Sequence, residues 1–161
     1  MEDIMELIIR GIRPEDKKTF LEMSREFYRS PAVLHDVPES FHEEAFSELM
    51  RSDRYLDCRF FEDGSGEVIG YALLIKTFSR EAGGVTIWVD ELYVRPSWQG
   101  KGIAHRFFAW LEENIPAARY RLETEPENER ARALYNRLGY TELPYLQMLK
   151  ERKTTVPSKE S

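Results

Sequence analysis

Cysteine is nearly absent: Cys58 is the only one in the 161 residues. An internal disulfide is excluded, and a reducing compartment, the cytoplasm, is expected. There is no C-x-x-C, no paired-histidine motif and no other zinc spacing, so no metal centre is expected. No apolar run approaches the roughly 18 residues a membrane span requires. The opening Met-Glu-Asp-Ile-Met-Glu-Leu-Ile-Ile-Arg is too acidic, and its apolar run too short, for a secretory leader. Internal repeats and low-complexity blocks are missing too. Positive charge is in deficit, 23 Lys and Arg against 29 Asp and Glu, a net −6. That argues against nucleic acid as the main partner, because neutralising phosphates takes clustered cations. It also means that an anionic ligand must be held by local backbone donors. A cationic substrate would be attracted, weakly at physiological salt.

What is present suits one globular domain over residues 1–150, with a polar, disordered tail over 151–161. The apolar fraction of 42% and aromatic fraction of 12% are those of a folded core. Leu7 to Arg10 reads as a short strand. Phe20, Leu21, Ser24, Phe27 and Tyr28 recur at helical spacing and predict a helix from Pro14 to Tyr28. Two prolines, Pro31 and Pro38, mark a loop. Ser40 with Glu43 three residues on has the form of a capping box, predicting a second helix from Phe41 to Arg51. Three strands follow, Tyr55–Phe61, Val68–Phe78 and Val85–Val94. They are separated by the turn signals Asp63-Gly64-Ser65-Gly66 and Ala82-Gly83-Gly84. Ile103, Phe107, Leu111 and Ile115 predict a helix that Pro116 ends. Tyr120–Thr124 reads as a strand. Asn128 is a plausible N-cap, and Gly139 a C-cap glycine, for a helix carrying Ala131, Leu134 and Leu138. Tyr140 to Lys150 would finish the sheet in one or two short strands. The order is β-α-α-β-β-β-α-β-α-β(-β), a mixed α/β domain.

The densest information lies in Arg95-Pro-Ser-Trp-Gln-Gly-Lys-Gly-Ile-Ala104. It joins a strand to a helix through a glycine-bearing turn, a geometry that gathers free backbone N–H groups and suits an anion such as a phosphate. A P-loop is excluded, because the Ser or Thr after the lysine is missing and the glycine spacing differs. A dinucleotide fingerprint fits poorly: His105 stands where Gly or Ala is needed, and the loop comes late in the chain.

The pattern Gln99-x-x-Gly102-x-Ala104, led in by Glu91-Leu-Tyr-Val-Arg-Pro96, resembles the Q/R-x-x-G-x-G/A motif of the GNAT superfamily of acyl-CoA-dependent N-acyltransferases. Downstream, Asn128-Glu-Arg-Ala131-Arg-Ala-Leu-Tyr135-Asn-Arg-Leu-Gly139-Tyr140 resembles that family's N-x-x-A-x-x-L-Y-x-x-x-G-F/Y segment. Ile8-Ile-Arg10 followed by Arg13-Pro14-Glu15-Asp16 is also similar to GNAT openings. The resemblance spans residues 7 to 149. It implies a mixed, mostly antiparallel sheet of six to seven strands flanked by four helices. It further implies acetyl-CoA as co-substrate and transfer of acetyl to a primary amine on a small cation, a polyamine or a protein N-terminus. By this resemblance the backbone of Gln99, Gly100, Lys101, Gly102, Ile103 and Ala104 would cradle the CoA pyrophosphate. Leu92, Tyr93 and Val94 would bond the pantetheine arm as an added strand. Asn128 would contact pantetheine and Ala131 would leave room for it. Departures are Ala104 at the last small position and Gln99 for the commoner Arg.

Tyr135 matches the family's general acid for the departing thiolate, a backbone N–H near Val94 its oxyanion donor. The plain alternative for Tyr135 is a core aromatic on an apolar stripe. Three carboxylates compete as base: Glu123, and the neighbours Asp90 and Glu91. Only one of the last two can face the site unless a bulge intervenes. Each could equally be a solvated surface acid. His35 and His105 read first as exposed loop and helix residues, Trp88 and Tyr93 as sheet packing, and Phe27 and Tyr28 as core. Two other functions stay open: a catalytically silent CoA-binding module, and a transferase of a longer acyl group. Oligomeric state is open as well, a homodimer being common in the family.

Overall fold

The computed structural model describes residues 4–152; the expected tail lies, from residue 153 on, outside them. Strand β1 (Leu7–Gly11) leads through a 3-10 turn (Pro14–Asp16) into α1 (Lys17–Tyr28). Helix α2 (Glu39–Arg51) follows, then the meander β2 (Leu56–Asp63), β3 (Val68–Ser79) and β4 (Gly84–Val94). A second 3-10 turn (Pro96–Trp98) precedes α3 (Ile103–Asn114), β5 (Arg119–Leu122) and α4 (Glu129–Arg137). The sheet runs β1-β2-β3-β4-β5, antiparallel except for the β4–β5 pair. That parallel pair is bridged by α3, as a crossover requires.

Alternation along the strands sends side chains into two cores, one on each sheet face. On one, Phe20, Met23 and Phe27 of α1 and Phe46 of α2 cover Cys58, Phe60, Tyr71 and Tyr93. On the other, Ile103, Phe107, Phe108 and Leu111 of α3 cover Phe61, Ala72, Leu74, Ile87 and Val89. Helix α4 rides beside α3 through Tyr135 and Leu138. The opening turn is fixed by a largely buried ion pair. Arg10 Nη1 and Nη2 donate to the two Asp16 oxygens at 2.7 and 2.9 Å, and the Arg13 N–H donates to Asp16 Oδ2 at 2.7 Å.

Two expectations fail. The sheet has five strands, not six to seven: residues 141–150, expected to complete it, are exposed and form no strand. Strand-type composition alone does not make a strand, and Pro144 interrupts the run. Nor does Ser40 cap α2. The helix already starts at Glu39, with Pro38 at the cap position, and Glu43 turns outward to Lys17 Nζ at 3.0 Å. Proline's fixed φ starts the helix two residues early.

Candidate active site

Two local devices shape the centre of the sheet. The first is a bulge in β4. Leu73 of β3 faces Glu91 and Leu74 faces Val89, so Asp90 is the unpaired extra residue. An inserted residue reverses the alternation beyond it. Ile87 and Val89 point into the α3 core, but Tyr93, an even number of residues on, points into the α1–α2 core, and Leu92 and Val94 take the α3 side. Glu91 is thereby carried to the α1–α2 face, where the Tyr71 hydroxyl donates to its Oε1 at 2.7 Å. The second device is the short pairing of β5, which meets β4 only from Thr86 to Val89. From Asp90 to Val94 that edge of β4 faces no strand. Arg95 gives its N–H to Ile69 of β3 at 2.8 Å. Alternation along an antiparallel strand then turns the N–H groups of Leu92 and Val94 to the open edge. Gly70 lets β3 and β4 close up here, since a Cβ on it would stand 2.2 Å from the Tyr93 carbonyl oxygen.

Glu91 lines a small cavity of about 70 Å³ with Ser24, Tyr28, Phe41 and His42. That is room for an ammonium group or a pair of waters. Ser24 Oγ and His42 Nδ1 share a buried hydrogen bond of 2.6 Å, and the Tyr28 ring meets His42 edge-on at 5.3 Å. Burial pushes the Glu91 carboxyl up to about 7; the Tyr71 hydrogen bond opposes this, and the charge of Asp90 adds to it. Asp90, at the surface of the bulge, is itself raised by the protein around it and by the charge of Glu123. Tyr28 is pushed up to about 12 by burial and by Glu91 and Asp90. The three carboxylates singled out from the sequence therefore form one negative cluster where β4 and β5 part. Glu91 is the recessed member. Glu123 is exposed and stands just past β5 rather than within it.

At the mouth of the same opening lies the glycine loop. Gly100 and Gly102 both have φ +75°, a left-handed conformation that only glycine adopts without strain. Around both, the space a Cβ would enter is open. Gly102 caps α3, whose first internal bond runs from Arg106 N–H to the Gly102 carbonyl at 3.1 Å. The amides of Ile103, Ala104 and His105 thus lack helical partners and gather at the positive helix end. Gln99 plays a further part: its Nε2 donates to the Val94 carbonyl at 3.0 Å, tying loop to strand. Lys101 sets its ammonium 4.7 Å from the Trp98 ring centre, beside the loop.

Asn128 caps α4 through its Oδ1, which accepts the Ala131 N–H at 3.1 Å. Gly139, at φ +92°, closes that helix, and the Tyr140 N–H returns to the Tyr135 carbonyl at 2.9 Å. Tyr135 is half-buried against Phe108 and Tyr140, and burial raises its hydroxyl above the ordinary value. His35 and His105 are exposed, and Arg121 stacks on Trp88 across the β4–β5 pair at 4.1 Å. Tyr71 is the residue that sequence reasoning missed. A tyrosine inside the apolar run from Val68 to Ile75 was the available signal, because its buried hydroxyl demands a partner.

The family model for the acetyltransferase (GNAT) family matches residues 18–140. The chain belongs to the GNAT acetyltransferase family. Among the relatives of this acetyltransferase is the mouse (Mus musculus) thialysine N-epsilon-acetyltransferase. The two are 26% identical over 150 residues, covering 84% of each chain. YhfO of Bacillus subtilis (strain 168), an uncharacterized N-acetyltransferase, is 30% identical over 121 residues, 73% of this chain and 76% of that one. In fold it resembles the solved structure of AAC(6')-Iy in complex with the bisubstrate analog CoA-S-monomethyl-acetylneamine. The TM-score is 0.74 at 17% identity, over 92% of this chain and 99% of that one. Among the described residues no helix is long and apolar enough to cross a membrane, and no cluster of ligating side chains could hold a metal ion.

Proposed function

We propose that this acetyltransferase moves an acetyl group from acetyl-CoA directly to a primary amine on a cationic acceptor, with Glu91 taking up the amine proton and Tyr135 supplying one to the departing thiol. The observation that carries the reading is Glu91: a recessed carboxylate raised to about 7 that lines a cavity next to a free strand edge. The names of relatives support an amine acceptor. One is called a thialysine N-epsilon-acetyltransferase, and AAC(6')-Iy was solved with an analog joining CoA to an acetylneamine.

The donor fits this chain's own geometry. The amides of Gly100 to Ala104 and the helix end behind them suit a pyrophosphate, and the open space beside both glycines leaves room for it. The free edge of Leu92 to Val94 offers backbone partners to an extended amide arm. Asn128 and Ala131 would flank that arm.

An alkylamine has a pKa near about 10 and arrives as an ammonium ion. Asp90, Glu91 and Glu123 favour its approach. Glu91 accepts one proton, directly or through a water, and so frees the nitrogen lone pair. The new N–C bond forms at the thioester carbonyl, and the Val94 N–H stabilises the oxyanion. As the C–S bond breaks, the nitrogen gives up its second proton to solvent and Tyr135 gives its own to the sulfur; solvent then reprotonates Tyr135, and Glu91 sheds the proton it took. Tyr71 holds the Glu91 carboxylate in place through its hydroxyl. A single domain over residues 1–150, acting in the cytoplasm as a homodimer, completes the proposal; the thiol of Cys58 stays reduced because it is buried.

The test is release of CoA thiol from acetyl-CoA across a panel of polyamines, amino acids, aminoglycosides and peptide N-termini. Turnover with one class identifies the acceptor. Tight CoA binding without turnover on any amine would leave a silent binding module, and a preference for propionyl- or succinyl-CoA would move the donor to a longer acyl group.

A further inference from the structure

Arg121 is a cation set among acids. Asp90, Glu91 and Glu123 gather where β4 and β5 part, and a site built only to draw a polycation has no use for a guanidinium there. Alternation fixes which way it points. Ile87 and Val89 of β4 and Tyr120 and Leu122 of β5 all enter the α3 core. Trp88 and Arg121, register partners across the β4–β5 pair, therefore rise from the opposite face, the one to which the bulge carries Glu91. The core under α1 and α2 takes in no residue of β5 and, of β4, only Tyr93. Those helices thus leave this part of the sheet open.

The guanidinium is held in place but not engaged. Arg119, two residues earlier, turns to Glu81 at 3.9 Å. Arg121 lies instead over the Trp88 ring, its Cζ 4.1 Å from the ring centre. Among the described residues it forms no ion pair, and its side chain gives no hydrogen bond. Stacking orients the planar fork and leaves its edge N–H groups free, the arrangement that receives a carboxylate through two bonds. Glu123 follows two residues on, just past β5, and its charge reaches Asp90. A cation and an anion thus stand side by side, about 7 Å apart along the chain. Both border the wide opening outside β5, so a ligand can reach them. A carboxylate and an ammonium on one carbon, the head group of a free amino acid, matches that pair in sign.

The distance to Glu91 sets the length of the acceptor. From Arg121 it is one strand across and three residues along, one of them the bulged Asp90. That is roughly 5 Å by 7–10 Å. A chain of about six bonds spans roughly 7 Å, and a contact at each end makes up the rest. Lysine has this separation between its side-chain nitrogen and its carboxyl carbon.

We propose that the acceptor is a free diamino acid of lysine length. Its side-chain amine enters the cavity beside Glu91, its carboxylate takes the edge N–H groups of Arg121, and its α-ammonium meets Glu123. Arg121 and Glu123 select the acceptor and move no proton. The placing of the reacting amine rests on the role given to Glu91 above; the head-group contacts do not.

Binding and turnover test the two parts separately. Calorimetry with CoA present should show L-lysine binding more tightly than cadaverine, which is lysine without its carboxylate, and than Nα-acetyl-lysine, which lacks the α-ammonium. Loss of a charge-assisted pair should weaken each of the two by about 10–100-fold. These three ligands probe the wild type alone, so the proposal does not hang on any variant folding. Arg121→Gln should erase the preference over cadaverine. Arg121→Lys, which keeps the charge and loses the fork, should restore only part of it. Glu123→Gln should erase the preference over Nα-acetyl-lysine. In the thiol-release assay the same ratios should appear in KM rather than kcat, as uniform binding requires. Cadaverine bound as tightly as lysine, or a preference that survives Arg121→Gln, would overturn the proposal. Lysine bound with these preferences but never acetylated would uphold the head-group site and count instead against Glu91 and Tyr135.

Discussion

The Tyr71 hydroxyl donates to Glu91 across the β3–β4 pair at 2.7 Å, and both lie on the α1–α2 face because Asp90 is bulged out between Val89 and Glu91. Burial holds the Glu91 carboxyl near about 7, against the opposing hydrogen bond. If Glu91 accepts the amine proton, it must be ionised, so kcat/KM should rise with pH and level off above about 7. In Tyr71→Phe the bond that favours the ionised form is gone, and the inflection should move to higher pH. A pH–rate profile for the two proteins checks this. An inflection that ignores position 71 would remove Glu91 from the proton path.

The same shift has a stability cost of definite sign. Glu91 ionises near its ordinary value of 4.5 in the unfolded chain and near about 7 in the folded one. Between those values the unfolded state has released a proton that the native state keeps, so stability falls as pH rises, and is flat above about 7. Summed over that interval the loss is about 3 kcal/mol, at about 1.4 kcal/mol per pH unit. Glu91→Gln should abolish it. Urea unfolding at pH 5 and pH 8 should show the variant gaining on the wild type at the higher pH while its turnover drops.

Most of this architecture could be read from the residues, and the exceptions share a cause. Apolar periodicity located α1, α3 and the meander, and Asn128 and Gly139 marked the ends of α4, because those signals are local. Site motifs were local too: Gly100 and Gly102 announce their own backbone. By contrast, which of Asp90 and Glu91 turns inward depends on a bulge, and a bulge is defined by the partner strand, not by its own sequence. The Tyr71–Glu91 bond is likewise set by register. The segment 141–150 misled for a similar reason, since strand composition states a preference for pairing without saying whose edge is available.

Tyr135→Phe keeps the ring that packs on Phe108 and Tyr140 and removes only the hydroxyl. Its raised pKa keeps the wild-type hydroxyl protonated throughout the assay range, so the acid role adds no falling limb near neutrality. Loss of a general acid should lower kcat by about 10²–10⁴-fold. Acetyl-CoA affinity by calorimetry should scarcely change. Unaltered turnover would return Tyr135 to a purely structural role.

Gly102 and Gly70 separate ligand space from packing space. A methyl at Gly102 meets no protein atom, but φ +75° makes it strained by about 1–2 kcal/mol. Gly102→Ala should therefore lower Tm by only a few degrees, about 2–4 °C per kcal/mol for a chain of this size. Its affinity for CoA should fall by a larger factor, because the methyl enters the cradle. Gly70→Ala drives a methyl into the Tyr93 carbonyl and should be the more destabilising of the two. Equal Tm losses with unchanged CoA affinity at position 102 would place the pyrophosphate elsewhere.

Asp16 offers the opposite pH signature from Glu91. Burial alone would raise its carboxyl, but the Arg10 side chain and the Arg13 N–H outweigh burial and hold it below its ordinary value of 3.8. The pair is therefore stabilising above 3.8, and the contribution is lost as pH falls through the depressed folded value. Removing one partner of a buried pair leaves the other charge unpaired, at a cost of about 3 kcal/mol or more. Asp16→Asn strips this countercharge from Arg10, which keeps its bonds to Glu62 and to the Gly11 carbonyl. Denaturant unfolding at pH 7 should show that loss in full. At pH 2.5, below the ordinary value of 3.8, the gap between variant and wild type should narrow, since the carboxyl is then protonated in the unfolded chain and keeping it ionised in the fold costs free energy. A gap independent of pH would mean that Asp16 acts by shape and not by charge.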